Sequence, residues 1–328
     1  PVLAAVLIYR IDELHPVSYP EHELIRYDEP LFIPKHNSRM LRGAEKIGYG
    51  QLPAPEDIAL DPQTGVIYTG CEDGWINRVT LKQNDSAAGA VVEKWINTGG
   101  RPLGIAHGLN GEVLVCDAIK GLLNISKDGV IDLLTDEAEG IKFKLTNAVD
   151  VAPDGTVYFT DASHSHSLQN HILDLLEGKP NGRFLSYNPS TKQTKVLVKD
   201  LFFANGVAVS PDHTFVIFCE TVMRRCKRYY IDGPRKGSTD TFVENLPGLP
   251  DNVRYDGEGR YWIALGTEAG PWVVMQRYPA LRKVAGIARK YAKWIKVERN
   301  GGAVAHLYCG CVHLPYIVRL NLTAYPAT

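Results

Sequence analysis

Four oxygen-bearing side chains recur at one position of a repeated sequence pattern. Each copy has about five alternating apolar residues, a turn of Pro, Asp, Asn or Gly residues, and a second alternating run. The copies begin at Glu56, Leu103, Asn147, Asn205 and Asp251. Alternation on both sides of such a turn is typical of a β-hairpin. The four polar residues provide two carboxylates and two amide carbonyls, which are ligands that a hard cation such as Ca²⁺ prefers.

The spacing of the copies indicates how these side chains could meet. Successive copies begin 44 to 58 residues apart, and about 45 residues with four short strands make one blade of a β-propeller. A weaker sixth copy falls near residues 304–322. We therefore predict an all-β, six-bladed β-propeller over residues 40–328, in which residues 40–52 supply a strand that closes the ring. A β-sandwich is the alternative, but it does not require this regular spacing.

In a propeller, the equivalent position of every blade converges on the central channel. We therefore predict one Ca²⁺ ion on the axis, bound by Glu56, Asn147, Asn205 and Asp251. The competing interpretation is that Asn and Asp only cap the turns before strands. Turn capping gives no reason for a shared phase across four copies, so the sequence favours the metal site.

Further side chains are candidates for contact with a substrate. His164 and His166 follow the third hairpin, on a loop expected over the channel mouth, and the alternative is that they are ordinary surface residues. The sequence offers no third ligand at a spacing that would make them a zinc site. Leu103, at the axial position of the second copy, and Asn252 complete the predicted substrate-binding set.

Composition restricts the class of protein. The chain has 328 residues, 45% of them hydrophobic, and a formal net charge of -1, so a large core is possible and nucleic acid is not an expected partner. Six scattered cysteines form no CxxC pair, which argues against a zinc knuckle. One disulfide is compatible with the sequence, which does not assign it. We expect a monomer that acts on a small molecule.

The amino-terminal segment, residues 1–39, suggests secretory routing. It opens with "PVLAAVLIY", which is too short to span a bilayer and is interpreted either as the remnant of a signal-anchor or as a buried strand. Three sequons, at Asn84, Asn124 and Asn321, are compatible with a glycoprotein. The expected location is the endoplasmic reticulum, the vacuole or the extracellular space, with a membrane anchor at the amino terminus as an option.

A basic amphipathic helix is predicted within residues 278–296. Its apolar stripe contains Leu281, Val284 and Ile287, and Arg282 and Lys283 are among the basic residues on the rest of its surface. We expect the stripe to pack over the channel as a lid. Contact of this helix with an anionic membrane surface is the alternative.

Four longer motifs resemble those of a known family. They are "LPAPEDIALDPQTGVIYTG", "FANGVAVSPD", "CETVMRRCKRYYIDGPRKG" and "LPGLPDNVRYDGEGRYWIAL". The chain resembles plant strictosidine synthase-like proteins, which are close to the animal adipocyte plasma membrane-associated protein. The wider superfamily includes paraoxonase and regucalcin, all six-bladed propellers. The resemblance covers nearly the whole chain from Met40 and implies the same blade count.

The resemblance also implies a ligand set. Paraoxonase-type members hold a catalytic Ca²⁺ with a Glu of an "ED" motif, an Asn before the third-blade strand, an Asn of an "ANG" motif and an Asp of a "DN" motif. These match Glu56, Asn147, Asn205 and Asp251. Leu103 replaces the histidine that paraoxonases carry at the second-blade position, which puts a histidine-based mechanism in doubt.

A second departure concerns the synthases of the family. True strictosidine synthases use a last-blade glutamate, for which this chain offers only Glu298, out of register, and they do not have the full oxygen-ligand set found here. The name of the family is therefore not taken as the activity.

Three functions follow as hypotheses. The leading one is a Ca²⁺-dependent hydrolase of small esters or lactones, in which Asp251 or Glu56 acts as nucleophile or orients water. The first alternative is a synthase or cyclase of the strictosidine synthase type, in plant alkaloid metabolism. The second is a non-catalytic, membrane-tethered binding propeller.

Overall fold

Antiparallel strands make up most of the structure, a computed structural model that describes residues 9–24, 45–81, 90–292 and 317–319. Four sheets have four strands each, and each sheet runs in sequence order. The first two sheets contain β2 Ile58–Leu60, β3 Ile67–Gly70, β4 Trp75–Thr80 and β5 Val91–Asn97, then β6 Pro102–His107, β7 Val113–Asp117, β8 Gly121–Ile125 and β9 Ile131–Thr135. The next two contain β12 Thr146–Val151, β13 Val157–Asp161, β14 Gly182–Asn188 and β15 Gln193–Leu201, then β16 Ala204–Val209, β17 Phe215–Glu220, β18 Arg225–Tyr230 and β19 Thr239–Val243.

Three further sheets have two described strands each. They are β1 Glu45–Ile47 with β22 Ile317–Arg319, β10 Glu137–Ala138 with β11 Ile141–Lys142, and β20 Gly248–Tyr255 with β21 Tyr261–Glu268. β20 and β21 contain the fifth copy of the predicted hairpin. All five hairpins predicted from alternation are therefore present as neighbouring antiparallel strands.

The sheets pack face to face in chain order. The first strands of successive sheets contact one another, β2 with β6, β6 with β12, β12 with β16 and β16 with β20. Apolar clusters fill the space between neighbouring sheets; one contains Ile76 of the first sheet and Val115 of the second, and another contains Phe184 of the third and Phe218 of the fourth. First strands that pack against those of the neighbouring sheets in chain order are typical of a propeller.

The two ends of the β-rich region also meet. β1 pairs antiparallel with β22, with Lys46 opposite Val318, as expected for a strand that closes the ring. Most of the predicted sixth copy lies outside the described residues, so the count of six blades and the boundary at residue 40 stay predictions.

Three helices and an amino-terminal segment pack at one end of the sheets. The helices are His171–Glu177, Gly270–Arg277 and Pro279–Ala292. We call them, together with residues 9–24, the cap. Leu14, Leu176 and Trp272 of the cap belong to one apolar cluster with Leu103 and Phe202 of the sheets. Among the described residues, none of the helices is long and apolar enough to cross a membrane.

The orientation of the third helix differs from the sequence prediction. Leu281 and Val284, expected to be buried, are 44% and 53% exposed, whereas Arg282 is fully buried and Lys283 is 8% exposed. The prediction of a buried apolar stripe is therefore wrong for these residues. The physical reason is that the Arg282 guanidinium donates to the carbonyl oxygens of Met275, Leu176 and Val17. These hydrogen bonds compensate for its burial.

The structure assigns one cysteine pair that the sequence left open. Cys219 and Cys226 stand opposite each other on β17 and β18 and form a disulfide, whereas Cys71 and Cys116 are free and buried. Of the sequon asparagines, Asn124 lies in β8, and Asn84 and Asn321 lie outside the described residues, as do Cys309 and Cys311.

Candidate functional site

A repeated irregularity marks the axial position of the hairpins. The ladder between the first two strands shifts register between Pro102 and Ile105, Thr146 and Val149, Ala204 and Val207, and Pro250 and Val253. Each interval contains the residue identified from the sequence: Leu103, Asn147, Asn205 or Asp251. A bulge releases a residue from strand pairing and re-aims its side chain. The backbone therefore treats these four positions alike.

Close contact between first strands brings the axial residues of neighbouring sheets together. A Cβ atom at Gly104 would collide with the backbone oxygen of Asn147, and one at Gly206 would collide with that of Asp251. Buried Thr160 joins two more strands, because its hydroxyl accepts from the Ala148 amide at 3.1 Å and donates to the Asn205 carbonyl at 3.0 Å. Glycine at positions 104 and 206 thus permits neighbouring first strands to approach as closely as the site requires.

A carboxylate from the end of the second strand fixes the chain just before three axial residues. Asp117 accepts from the Arg101 amide at 3.1 Å, Asp161 from the Leu145 amide at 3.1 Å, and Glu220 from the Phe202 amide at 3.0 Å. Because the three carboxylates are buried, these bonds hold the axial residues on a rigid frame.

Three of the predicted ligands contact one another directly or through a neighbour. Asn252 donates from Nδ2 to Glu56 Oε1 at 3.1 Å. The Asn205 side chain hydrogen-bonds to Asp251, and it also donates to the Thr221 hydroxyl at 3.2 Å. The charges of Glu56 and Asp251 interact. The structure thus joins the first, fourth and fifth copies, and Asn147 enters through its strand beside Asn205.

The donor set can be tested against the needs of a cation. At this site, four oxygen atoms are buried with no hydrogen-bond partner among the described residues: Glu56 Oε2, Asn147 Oδ1, Asn205 Oδ1 and Asn252 Oδ1. A buried acceptor left unpaired costs about 1–3 kcal/mol, and a hard cation satisfies such oxygens. The residues therefore fit Ca²⁺, with amides completing a set of only two carboxylates. Within the described ranges, no group of three or more His, Cys, Asp and Glu side chains could hold a metal ion.

The electrostatics of the Glu56 and Asp251 carboxylates also favour a bound cation. Burial raises the pKa of Glu56 well above its usual value, and the neighbouring charges of Asp251 and Asp57 raise it further. Burial also raises the pKa of Asp251 to about 6, against the hydrogen bond from Asn205, which lowers it. The surrounding residues thus do not offset the cost of burying the negative charges of Glu56 and Asp251. A bound cation would stabilise the charged forms.

A charged layer that the sequence pattern did not predict lies beside the axial residues. Arg254 forms an ion pair with Asp57 and donates to the carbonyl oxygens of Val207 at 3.2 Å and Val253 at 3.0 Å. Burial alone would lower the pKa of Arg254, but the charges of Asp57 and Asp150 outweigh it and raise that pKa. One signal was available, because Asp150 and Arg254 occupy the same position of their hairpins, three residues after the axial one.

Leu103 lies at its predicted position but among apolar groups. It is 3% exposed and packs in the cluster that joins the sheets to the cap. The second sheet therefore contributes an apolar side chain where the other sheets contribute oxygen atoms. A role for Leu103 in substrate contact stays a prediction.

The two histidines are arranged differently from each other. His166 contacts the buried carboxylate of Asp174, with Nδ1 3.0 Å from Oδ1, and that oxygen also accepts from Ser163 at 2.7 Å and Asn181 at 2.8 Å. His164 contacts only the Ser165 hydroxyl through its ring, at 3.3 Å, among the contacts described. His166 is thus fixed to the cap helix His171–Glu177, and substrate contact by either histidine is still a prediction.

Comparison with known proteins gives the family. A model of strictosidine synthase matches residues 147–234, and a model of the strictosidine synthase-like amino-terminal region matches residues 36–79. Strictosidine synthase-like protein 4 of Arabidopsis thaliana is 48% identical, over 100% of this chain and 95% of the relative. Human adipocyte plasma membrane-associated protein is 33% identical, over 99% of this chain and 87% of the relative.

Solved structures support the fold. A gluconolactonase from Xanthomonas campestris matches with a TM-score of 0.55 at 19% identity, over 67% of this chain and 73% of that one. A calcium-binding protein, regucalcin, from Agrobacterium tumefaciens matches with a TM-score of 0.50 at 19% identity, over 67% of this chain and 70% of that one. At this identity the likeness concerns the fold alone. The motifs, the successive antiparallel sheets and the full-length relatives agree, and the chain belongs to the strictosidine synthase-like family.

Proposed function

We propose that this protein is a Ca²⁺-dependent hydrolase of small esters or lactones. The observation that carries the proposal is the set of buried, unpaired oxygen atoms on Glu56, Asn147 and Asn205, beside Asp251. The printed names of two structural relatives, a gluconolactonase and a calcium-binding regucalcin, agree with this chemistry. They support the proposal only as analogies between proteins of one fold.

The protein residues have separable roles in this proposal. Bound Ca²⁺ would supply a Lewis acid that polarises the substrate carbonyl. Asn252 holds one oxygen of Glu56, which leaves Oε2 for the ion, and Asn205 holds Asp251 through its amide nitrogen. Asp251 is the carboxylate that would orient water or accept its proton. Glu56 is the alternative for this role.

The two other functions remain as outcomes of the test. The strictosidine synthase name of the family keeps a synthase or cyclase as an alternative, and Glu298, the only last-blade glutamate suggested for it, lies outside the described residues. A binding propeller with a structural ion would use the same oxygen atoms with no turnover.

We further propose that the protein enters the secretory pathway and associates with a membrane. The Cys219–Cys226 disulfide suits an oxidising compartment. A relative is named for its association with the adipocyte plasma membrane. Glycosylation and a place in alkaloid metabolism remain predictions of the sequence.

The test is a panel of aryl esters and lactones, assayed with Ca²⁺ and with excess chelator. We expect hydrolysis that requires Ca²⁺ and that Asp251→Asn lowers by about 100-fold or more, since a positioned base contributes about 10²–10⁴-fold. Asp73→Asn, on an exposed turn, is the matched control and should leave activity unchanged. An aldehyde–amine condensation is assayed beside the panel. Metal-independent condensation with no hydrolysis would favour the synthase, and tight Ca²⁺ binding with no turnover of either kind would favour the binding propeller.

A further inference from the structure

The charged layer beside the axial residues is centred on one guanidinium. Arg254, on β20 of the fifth copy, forms an ion pair with Asp57 of the first copy. It also donates to the carbonyl oxygens of Ile105 in the second copy at 3.3 Å and Val207 in the fourth copy at 3.2 Å. A group that contacts three other copies at once must lie where the copies converge. The Arg254 guanidinium therefore lies close to the axis of the sheets.

This guanidinium lies on the side of the axial residues that faces away from the cap. Its carbonyl partners, Ile105 and Val207, each follow the axial residue of their copy by two positions. Residues that precede the axial position by two, such as Leu145 and Phe203, instead belong to the apolar cluster that includes the cap. Arg254 thus forms the layer next to the oxygen atoms that are proposed to bind Ca²⁺.

The charge that Arg254 compensates acts directly on the proposed ligands. Asp57 follows Glu56 in the chain, and its negative charge acts on both Glu56 and Asp251. Both Asp57 oxygens are engaged by backbone amides, at 2.8 and 3.1 Å, and one of them also by the guanidinium. Asp57 is therefore a third buried carboxylate, held by protein groups rather than by the proposed ion.

A carboxylate of the third copy acts on the same guanidinium. Asp150 occupies in its hairpin the position that Arg254 occupies in the fifth copy, and its charge acts on Arg254. The Asp150 oxygens accept from the Val151 and Val209 amides, each at 2.8 Å. Loss of Arg254 would thus leave two carboxylates without its charge in the layer next to the proposed ion site.

We propose that Arg254 is a positioning residue that acts as a fixed cation of the channel. It neutralises Asp57, so that Glu56 and Asp251 provide the negative charge that one Ca²⁺ balances. The inference rests on the proposed Ca²⁺ site, and it adds that the charge of the neighbouring layer sets the affinity of that site. Arginine suits this role because its charge is permanent and its planar donors reach several acceptors at once.

The test is a calorimetric titration with Ca²⁺ at about pH 8, where carboxylates are charged. Arg254→Gln keeps a donor and removes the charge. It should bind Ca²⁺ about tenfold more tightly than the unaltered protein, since a positive charge has left the neighbourhood of the ion. Asp57→Asn leaves Arg254 without its partner and should bind Ca²⁺ about tenfold more weakly. The double variant has a neutral pair of residues again and should return to within about threefold of the unaltered affinity.

Two controls separate charge from structure. Arg254→Lys keeps the charge and should bind Ca²⁺ nearly as the unaltered protein does. Arg228→Gln removes an arginine of similar exposure, 30% against 34% for Arg254, from its ion pair with Asp240 on β18 and β19. This change lies away from the axial strands and should leave the affinity unchanged.

The sign of the changes in affinity decides the outcome. If Arg254→Gln binds Ca²⁺ no more tightly than the unaltered protein, Arg254 only holds the strands together and the proposal is wrong. If Arg254→Gln folds only when Ca²⁺ is present, the ion replaces the missing charge, which supports the proposal. Failure to fold at any Ca²⁺ concentration would overturn it. Absence of Ca²⁺ binding from the unaltered protein would overturn the proposed function itself, and this inference with it.

Discussion

Hydrogen bonds donated by side-chain amide nitrogens orient the oxygen atoms of the candidate site. Asn205 gives its nitrogen to Thr221 and Asp251, and Asn252 gives its nitrogen to Glu56. In both cases the amide oxygen remains unpaired among the described residues. An amide held by its nitrogen is a fixed oxygen ligand, so the partners of these nitrogens should matter for the ion even where they do not touch it.

Thr221 provides a test of this orientation. Its hydroxyl accepts from Asn205 and donates to the Pro250 carbonyl, next to Asp251, at 2.8 Å. Thr221→Val keeps the shape and removes both bonds, and should weaken Ca²⁺ binding by about 10–100-fold. Thr221→Ser keeps the hydroxyl and should bind nearly as the unaltered protein does. Equal affinities for the two variants in a calorimetric titration would show that Thr221 only fills space.

The raised pKa of Asp251 predicts how pH affects the ion-free protein. Its value of about 6 in the folded state lies above about 3.9 in an unfolded chain, so folding favours the protonated form. This contribution to the free energy of unfolding is fully present below about pH 4 and is lost as pH rises through about 6.

The measurement is chemical unfolding in excess chelator at several pH values from about pH 5 to about pH 7. We expect the unaltered protein to lose more stability over this range than Asp251→Asn, which has no such proton to release. Added Ca²⁺ should raise the Tm less at the acid end, since the ion requires deprotonated carboxylates. The same pH slope for both proteins would contradict the assignment.

At the scale of elements, two features position the site. The bulge in the first strand turns the axial residue out of the strand ladder, and the cap packs against axial Leu103. Alternation and turn residues predicted the five hairpins that begin at the axial positions, and all five are present. The bulges could not be predicted in the same way, since they depend on pairing with the neighbouring strand rather than on residue type. The face that helix Pro279–Ala292 buries could not be predicted from hydropathy either. Arg282 is buried because three carbonyl oxygens from separate elements accept its hydrogen bonds.

Arg282 should therefore contribute strongly to stability. Arg282→Leu leaves the Met275, Leu176 and Val17 carbonyl oxygens without this donor, and should lower the free energy of unfolding by about 2–4 kcal/mol. Arg289→Leu, two turns further along the same helix where the side chain is exposed, should change it by no more than about 0.5 kcal/mol. Denaturant unfolding of both variants is the measurement. Equal losses of unfolding free energy would contradict the burial of Arg282 against the cap.

At the scale of the whole molecule, the phase of the repeat pointed to axial residues of which Glu56, Asn205 and Asp251 lie close together, and the family comparison confirmed the resemblance. Glu56 and Asp251 belong to the first and fifth copies, yet their charges interact and Asn252 donates to Glu56, as expected if the sheets surround one axis. Arg254 was not predicted from the sequence because it lies three residues after the axial position, where the residue type differs among the five copies. Its ion pair with Asp57 joins the fifth copy to the first, so the charged layer holds together two of the copies that the proposed ion would join.

The most direct test of the central claim is a calorimetric titration of chelator-stripped protein with Ca²⁺. We predict one ion for each chain, and loss of measurable binding in Glu56→Gln combined with Asp251→Asn, with Asp73→Asn as the control that retains it. The ion should also raise the Tm, since a ligand bound only by the folded state stabilises that state. Binding that persists unchanged in the double variant, or its absence from the unaltered protein, would contradict the account.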